Sequence, residues 1–431
     1  MQKHLFLAAF MGLCLQPAFG SPATTQQKSP FLDDQAECKS FSNLVTPDQE
    51  NVIGPFMAQH MHRLNHVLWH ATRNAWSSLT ADEQHAIEKL SDQWGKNKPV
   101  CPMPEMDISG KTFEEKEKKE RGIVPSGEEF LLMHHEMVDM LRVQLVNAHV
   151  PCIAGWQKLP KKDDKNWPVP DGAKDDESKT DDTGAMMDAW RKKFDDPAYL
   201  KDKSLSWIGY MIENSIHNNM HMRWAPTPGE HDGFSPLDGK KVTLPSLVRE
   251  YPYDDPKYHW LGNPYSAHVN SIFWKLHGWV DSVIPKWLAA NGYDVIALDC
   301  KATNKDLKKK CYEWKSQWVG GLNHIAHTQA MVAMAKGMKN DGPLCGVPST
   351  DQLTGEDLKK ADDAISKIID QAGFSNKRFH DHVFPSSSSE DDHQGKSLSD
   401  KVVAPAQRDT TYDDPFAYVK AFGPCSAPSK K

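Results

Sequence analysis

The stretch SIHNNMHMRWAP, residues 215–226, places two histidines four positions apart and ends at a proline. In an α-helix, residues four apart lie one turn above each other, so His217 and His221 would share a helix face. The chain has 20 histidines in 431 residues, and random placement would give about one pair with this spacing. The pair by itself therefore does not establish a metal site.

A second segment of the chain repeats this arrangement. Residues 62–69 and residues 217–224 both read His-x-x-x-His-x-x-Trp. Further along, each half has one histidine four residues after a phenylalanine, and an aspartate follows it. These single histidines are His134, after Phe130, and His277, after Phe273.

The repeat predicts two sets of three histidines. A lone histidine on an apolar face is usually a hydrogen-bonded core residue, but the same pattern in both halves favours metal binding. Two helix pairs packed as a bundle would bring the two sets face to face. The first set is His62, His66 and His134, and the second is His217, His221 and His277.

Apolar residues at three- and four-residue spacing predict helices through most of the chain. The predicted helices lie within 47–75, from Thr80 to Gly95, from Ser126 to Pro151, from about 204 to Pro226, from about 266 to 292, and, more weakly, near 315–338 and 355–372. Few segments alternate like strands. We expect a mainly α fold, a helical bundle whose four-helix core holds the histidine sets, with long irregular loops.

Local signals place the ends of several helices. Thr80 with Glu83, and Ser126 with Glu129, have the spacing of capping boxes, which begin helices. Proline cannot continue a helix, so Pro285 predicts a kink inside the segment 266–292.

The N-terminus has the pattern of a secretory signal. A basic start precedes an apolar stretch from residue 5 to 15 and a small-residue exit near residue 20. No other segment approaches the 18 apolar residues of a membrane span. The expected protein is exported, periplasmic or extracellular, without a membrane anchor. Its net charge of −7 and scattered basic residues argue against nucleic-acid binding.

The remaining sequence divides into a main domain and an extension. Residues 1–20 are the expected signal peptide, 21–345 the histidine-bearing helical domain, and 346–431 a partly irregular C-terminal extension that packs on or shields the main domain. Seven cysteines follow the signal, so export predicts disulfides and leaves at least one cysteine otherwise used.

Ligand type indicates the metal. Neutral imidazole suits copper, zinc, iron and nickel, whereas di-iron bundles use glutamates and Glu-x-x-His pairs. The histidine segments have no Glu-x-x-His, and HHEMVD lacks the second histidine of a zincin helix. Six histidines without carboxylates predict two copper ions.

These residues resemble the type-3 copper proteins, the family of tyrosinases and polyphenol oxidases. IHNNMH followed by FWKLHGWVDSVIPKW is similar to the second copper site of that family, with Asn263-Pro264 as the intervening Asn/Asp-Pro element. EEFLLMHHEM is similar to its Phe-Leu-x-x-His segment at the first copper. The resemblance spans about residues 60–290, and it implies a dinuclear copper centre that uses O₂.

The first copper site departs from the family pattern. RNAWSSLTADE resembles a segment that precedes two ligand histidines in short bacterial tyrosinases, yet no histidine lies between His85 and His134. The ligands must then come from the helix before it. The internal repeat favours His62 with His66, and His66 with His70 is the rival pair. His135 is a less favoured alternative to His134.

The resemblance implies an enzyme that oxidises phenols or catechols to o-quinones with O₂. Asn218 matches a family position that helps a glutamate hold a water that deprotonates the incoming phenol. Glu213 is the nearest acid but is one turn away, so catechol oxidation is better supported than phenol hydroxylation. Asp281 would orient His277 or cap a helix contact, and Phe273 would cover the coppers or belong to the core.

Two other functions would use the same histidines. One is an oxygen carrier similar to haemocyanin, with the coppers closed off from substrate. The other is a copper-binding protein that keeps the helices without oxidase activity. In either case the expected partners are small molecules, and the sequence does not indicate the oligomeric state.

Overall fold

The computed structural model describes residues 44–89, 125–161, 163–169, 181–201, 203–225, 254–303, 309–318, 355–372 and 374. Most of these residues are helical and few are in strands, which confirms the predicted mainly α class. The predicted signal segment, residues 90–124 and most of the predicted C-terminal extension lie outside the described residues. None of the described helices is long and apolar enough to cross a membrane.

The segment predicted to be helical within 47–75 forms two helices, α1 over Pro47–Met57 and α2 over His60–Ala75. Thr46 begins α1 with a capping box that uses Gln49. At the end of α1, the Ala58 carbonyl accepts a hydrogen bond from the Arg63 side chain at 2.9 Å, so this carbonyl is satisfied outside the helix.

Helix α3, over Ala81–Glu88, begins at Thr80 with the predicted capping box. Its predicted stop at Gly95 lies outside the described residues. Helix α4 spans Pro125–Asn147 and ends before Pro151, as predicted. Its predicted capping box is wrong, because Ser126 is already inside the helix.

The segment that carries the opening histidine pair is one continuous run of helical turns. Helices α5, over Asp181–Asp195, and α6, over Pro197–Lys201, precede it. Ser204 caps α7, Leu205–Ile212, and a π-helical turn over Glu213–His217 leads into α8, Asn218–Arg223. The predicted helix from 204 to Pro226 is confirmed. The π turn was not predicted, and such turns are frequent at functional sites.

The last predicted core helix is divided into α9, over Ser271–Asp281, and α10, over Val283–Ala290. The break falls at Ser282 and not at Pro285. Pro285 is the third residue of α10, where the missing amide hydrogen has no helical partner to lose.

A two-stranded sheet next to a disulfide follows the core helices. Strands β1, Val295–Ala297, and β2, Cys311–Glu313, pair in parallel with Val295 opposite Cys311. A disulfide joins Cys300, at the start of α11 (Cys300–Thr303), to Cys311. Cys152 is also disulfide-bonded, to a partner outside the described residues. Residues 315–318 are not helical, and the rest of the helix predicted near 315–338 lies outside the described residues.

The last described helix packs on two helices from the start of the described chain. Helix α12, over Gly355–Gln371, confirms the helix predicted near 355–372 and contacts α2 and α3. Lys367 lies 2.7 Å from the Glu83 carboxylate, and Lys89 lies 3.2 Å from Asp357. The apolar face of α12, which includes Ile365, is buried in the common core.

Helices α4 and α7 cross at two glycines that allow their backbones to touch. A Cβ atom added at Gly209 would lie 2.7 Å from the Gly127 carbonyl carbon. No real Cβ atom approaches backbone so closely, so the crossing requires glycine at this position. The crossing matters to the histidines because α4 carries His134 and α7 leads directly to His217.

We predict that Gly209→Ala lowers the free energy of unfolding by about 1–3 kcal/mol, because the added methyl group forces the two helices apart. Denaturant unfolding measures the loss. Gly54→Ala in α1 is the matched control, since a Cβ there would have nothing within 4 Å and should not destabilise the protein. Equal stability of the two variants would contradict the close crossing.

Candidate metal centre

Two groups of histidines, all buried except the half-buried His70, could each hold a metal ion. Within each group, one ring nitrogen per histidine lies within 4.8 Å of the others. The side chains come from α2, α4, the π turn and α9, so the site joins elements that are distant in sequence. The first group is His66, His70 and His134, and the second is His134, His217 and His277.

His221 lies beside the second group. Its ring centroid is 4.5 Å from that of His217 and 5.3 Å from that of His277. The Nδ1 atom of His221 hydrogen-bonds the Leu261 carbonyl at 3.0 Å, so its other nitrogen carries the lone pair. The rings of His217, His221 and His277 thus adjoin one another, and we call these three histidines the second set.

Two imidazoles of the second set direct their lone pairs at each other. His277 Nδ1 donates to the Phe273 carbonyl at 2.7 Å, and His217 Nδ1 donates to the Asn218 side-chain oxygen at 2.9 Å. A neutral imidazole has one N–H, so both Nε2 atoms are acceptors, and they lie only 2.9 Å apart. Two facing acceptors repel each other, and a cation bound between or beside them would relieve that repulsion.

Helices α4 and α9 orient their histidines in the same way. His134 Nδ1 bonds the Phe130 carbonyl at 2.8 Å, as His277 bonds that of Phe273. The acceptor is the carbonyl four residues earlier in both helices. The Phe-x-x-x-His spacing therefore coincides with a hydrogen bond inside the helix, from histidine Nδ1 to the phenylalanine carbonyl. This bond leaves Nε2 as the nitrogen that can bind a metal ion.

His66 obtains its orientation from another histidine. The two Nδ1 atoms of His66 and His268 are 3.0 Å apart, and His268 Nε2 bonds the Met57 carbonyl at 3.1 Å. On its other side, His66 Nε2 lies 3.2 Å from His70 Nε2. Nothing in the sequence pattern indicated His268, because its contact with His66 is made across about two hundred residues.

The structure places His62 outside both groups. The His62 ring packs on Phe56, with centroids 4.7 Å apart, whereas the His70 ring lies 5.9 Å from that of His134. The geometry therefore favours the pair His66 and His70, the alternative that the sequence left open.

Burial keeps these imidazoles neutral. Desolvation is the main cause that lowers the pKa of His66, His70, His217 and His277 well below its ordinary value, and the neighbouring histidines lower it further. Burial also lowers the pKa of His221 to about 4. Neutral imidazole is the form that binds a metal ion.

A buried ion pair links α2 to the π turn. Arg73 donates to both carboxylate oxygens of Glu213, at 2.6 and 2.9 Å, and to the Ser126 carbonyl at 2.8 Å. The guanidinium also lies over the Trp69 ring. Glu213 is therefore buried and held by Arg73, which leaves this carboxylate committed to the scaffold.

Asp281 does not orient His277, whose Nδ1 bonds the Phe273 carbonyl. It accepts hydrogen bonds from His135 at 2.6 Å and from Arg142 at 3.2 Å, and so fastens α9 to α4. This contact also directs His135 away from the histidine groups. The position after His134 therefore serves the scaffold, and His134 is the group member on α4, as the Phe spacing predicted.

Aromatic rings close the site. Phe273 is fully buried and stacks on His277 with centroids 3.7 Å apart, and it also contacts His66. Trp318 stacks on Trp69 beside the first group. From the end of the C-terminal helix, the Phe374 ring lies 6.2 Å from that of His70.

No protein-family model and no curated protein matches this chain.

We predict that the metal-free protein loses stability as the pH falls below about 6.5. There the unfolded chain protonates its histidines while the buried ones stay neutral. One such histidine contributes a loss of about 1.4 kcal/mol between about pH 7.5 and 5.5. Two groups act in the opposite direction, so variants must be compared. Burial raises the pKa of Glu136 to about 7, and Asp139 and Asp281 raise the pKa of His135 to about 10 despite its burial.

The comparison uses His277→Phe and the exposed control His85→Gln, each followed by denaturant unfolding across this pH range. His277→Phe should reduce the pH-dependent loss, and His85→Gln should leave it unchanged. An identical pH dependence in the native protein and His277→Phe would contradict the buried neutral state of His277.

Proposed function

We propose that this protein is a dicopper oxidase that uses O₂ to oxidise phenols or catechols to o-quinones. The single observation that carries the proposal is the donor set. Imidazoles from both halves of the chain converge in one buried centre, and in the described groups no carboxylate joins them. Imidazole alone suits copper better than magnesium, calcium or a carboxylate-bridged di-iron pair.

In this proposal the six histidines divide into two copper sites. His66, His70 and His134 hold the first ion, and His217, His221 and His277 hold the second. The four helical segments that carry them form the proposed four-helix core. Two-metal sites that act on one substrate place their ions about 3.5–4 Å apart, and His134 stacks on His277 with centroids 4.4 Å apart, which is compatible with adjacent ions.

When bound, the copper pair supplies the redox chemistry and the site for O₂. Two catechols each lose two electrons and two protons to become o-quinones, and one O₂ takes up the four electrons and four protons as two waters. The chain itself holds each histidine ligand in one tautomer. Phe273 excludes water from the site, and the charged side chains nearby are paired with each other and do not contact the metal ions.

Asn218 has a defined place in this scheme. Its side-chain oxygen accepts the His217 Nδ1 proton, so it positions a copper ligand. The family role of this asparagine also needs a glutamate that holds a water, and Arg73 engages Glu213. We therefore propose catechol oxidation as the main activity, with Asn218 acting through His217.

Closure of the site favours one alternative, an oxygen carrier similar to haemocyanin. His134, His217 and His277 are at most 3% exposed, and Phe374 adds a ring next to His70. A carrier would bind O₂ reversibly without turning over catechol. Export to the periplasm or beyond would suit either function and the Cys300–Cys311 disulfide.

We predict that the native protein binds two copper ions and, after oxidation to Cu(II), gives no EPR signal, because two close spins couple. Metal analysis measures the number of copper ions, and EPR shows whether their spins couple. His70→Phe should retain one copper, which then becomes visible by EPR. The matched control His62→Phe should retain two silent ions, and the reverse result would restore His62 as the ligand.

We also predict that the copper-loaded protein oxidises catechol and that Phe374→Ala raises kcat/KM several-fold, because the substituted ring no longer covers His70. Quinone absorbance measures the rate. Phe56→Ala removes the ring next to His62 and should leave kcat/KM unchanged. Reversible O₂ uptake without quinone in both the native protein and Phe374→Ala would favour the carrier.

A further inference from the structure

His268 is a fully buried histidine that the proposed copper sites do not use as a ligand. It lies in a 3₁₀ turn, Ala267–Val269, ahead of α9. The Trp274 indole donates to its carbonyl at 2.9 Å, which fixes the backbone of the turn. The ring itself lies between the end of α1 and His66, where it makes polar contacts on both edges.

The protons in this contact can be assigned from chemistry alone. The Met57 carbonyl can only accept, so His268 Nε2 is the N–H that donates to it at 3.1 Å. A neutral His268 then has a lone pair on Nδ1. His66 Nδ1 lies 3.0 Å from that lone pair and must be the donor, which leaves His66 Nε2 as the acceptor nitrogen that faces His70.

The other oriented histidines use oxygen acceptors. His134, His221 and His277 donate to backbone carbonyls, and His217 donates to the Asn218 side chain. His66 alone among these five donates to an imidazole. Outer partners of this kind fix the tautomer of a metal-bound histidine and raise its basicity.

We propose that His268 is the positioning residue of the first copper site, holding His66 in the tautomer that presents Nε2 to the metal. The inference rests on the proposed metal centre. This role also couples the two sites. His268 lies in the turn before α9 and orients a ligand of the first site, while α9 itself carries a ligand of the second site. A change in that turn would therefore reach both sites.

His268→Leu and His268→Gln separate this role from simple packing. Leucine fills the space but offers no hydrogen bond, whereas the glutamine amide has both a donor for Met57 and an acceptor for His66. His259→Leu is the control, because His259 belongs to the same loop, lies 3.2 Å from the Asn270 side chain and is not a member of either histidine group.

The first readout is the His66 tautomer in the metal-free protein, measured by long-range ¹⁵N–¹H NMR with labelled histidine. The native protein and His268→Gln should carry the His66 proton on Nδ1, and His268→Leu should shift it toward Nε2. A proton on Nε2 in the native protein would overturn the proposal even if His268→Leu fails to fold.

The second readout is copper affinity, measured by competition with a chromophoric chelator. His268→Leu should lower the affinity for one of the two copper ions by about 10- to 100-fold, and His268→Gln should restore most of that affinity. His259→Leu should bind both ions as the native protein does. Native affinity for both ions in a folded His268→Leu would overturn the role of His268 alone, whereas a native protein that binds no copper would overturn the proposed function.

Discussion

The arrangement depends on one constraint, that a buried neutral imidazole has only one proton to give. At five histidines the Nδ1 proton goes to a fixed acceptor, either a backbone carbonyl, the Asn218 oxygen or the His268 ring. Each Nε2 lone pair is then left to face the other histidines of the site. Lone pairs that face each other in a buried site are stabilised best by a cation.

The surrounding scaffold keeps that centre free of competing charge. Arg73 and Glu213 satisfy each other, and Asp281 is shared by His135 and Arg142. Removing one partner of a buried ion pair costs about 3–5 kcal/mol, so these acids cannot turn toward the histidines without a large loss. The ion pairs thus fasten the helices together and also define the site as purely imidazole.

Much of this could be predicted from the sequence, because the signals were local. The Phe-x-x-x-His spacing identifies His134 and His277, since the accepting carbonyl is four residues earlier in the same helix. The Thr80 capping box and the helix after Ser204 are local in the same sense. The π turn before His217 has no comparable signal, and neither does His268, whose contact depends on how the loop before α9 folds against α1.

The choice between His62 and His70 shows where a pattern alone was insufficient. The sequence aligned Trp69 with Trp224, but the two rings have different surroundings. Trp69 contacts His134 and stacks on Trp318, whereas Trp224 packs on Trp156 and donates to the Trp167 carbonyl. The tryptophans are therefore not equivalent, and the repeat they suggested favoured His62, which the structure places outside both histidine groups.

The most direct test of the dicopper centre is a crystal of the copper-loaded protein measured at the copper absorption edge. We expect two anomalous peaks about 3.5–4 Å apart, one bound by His66, His70 and His134 and the other by His217, His221 and His277. A single peak, or copper bound outside these histidines, would contradict the proposed centre.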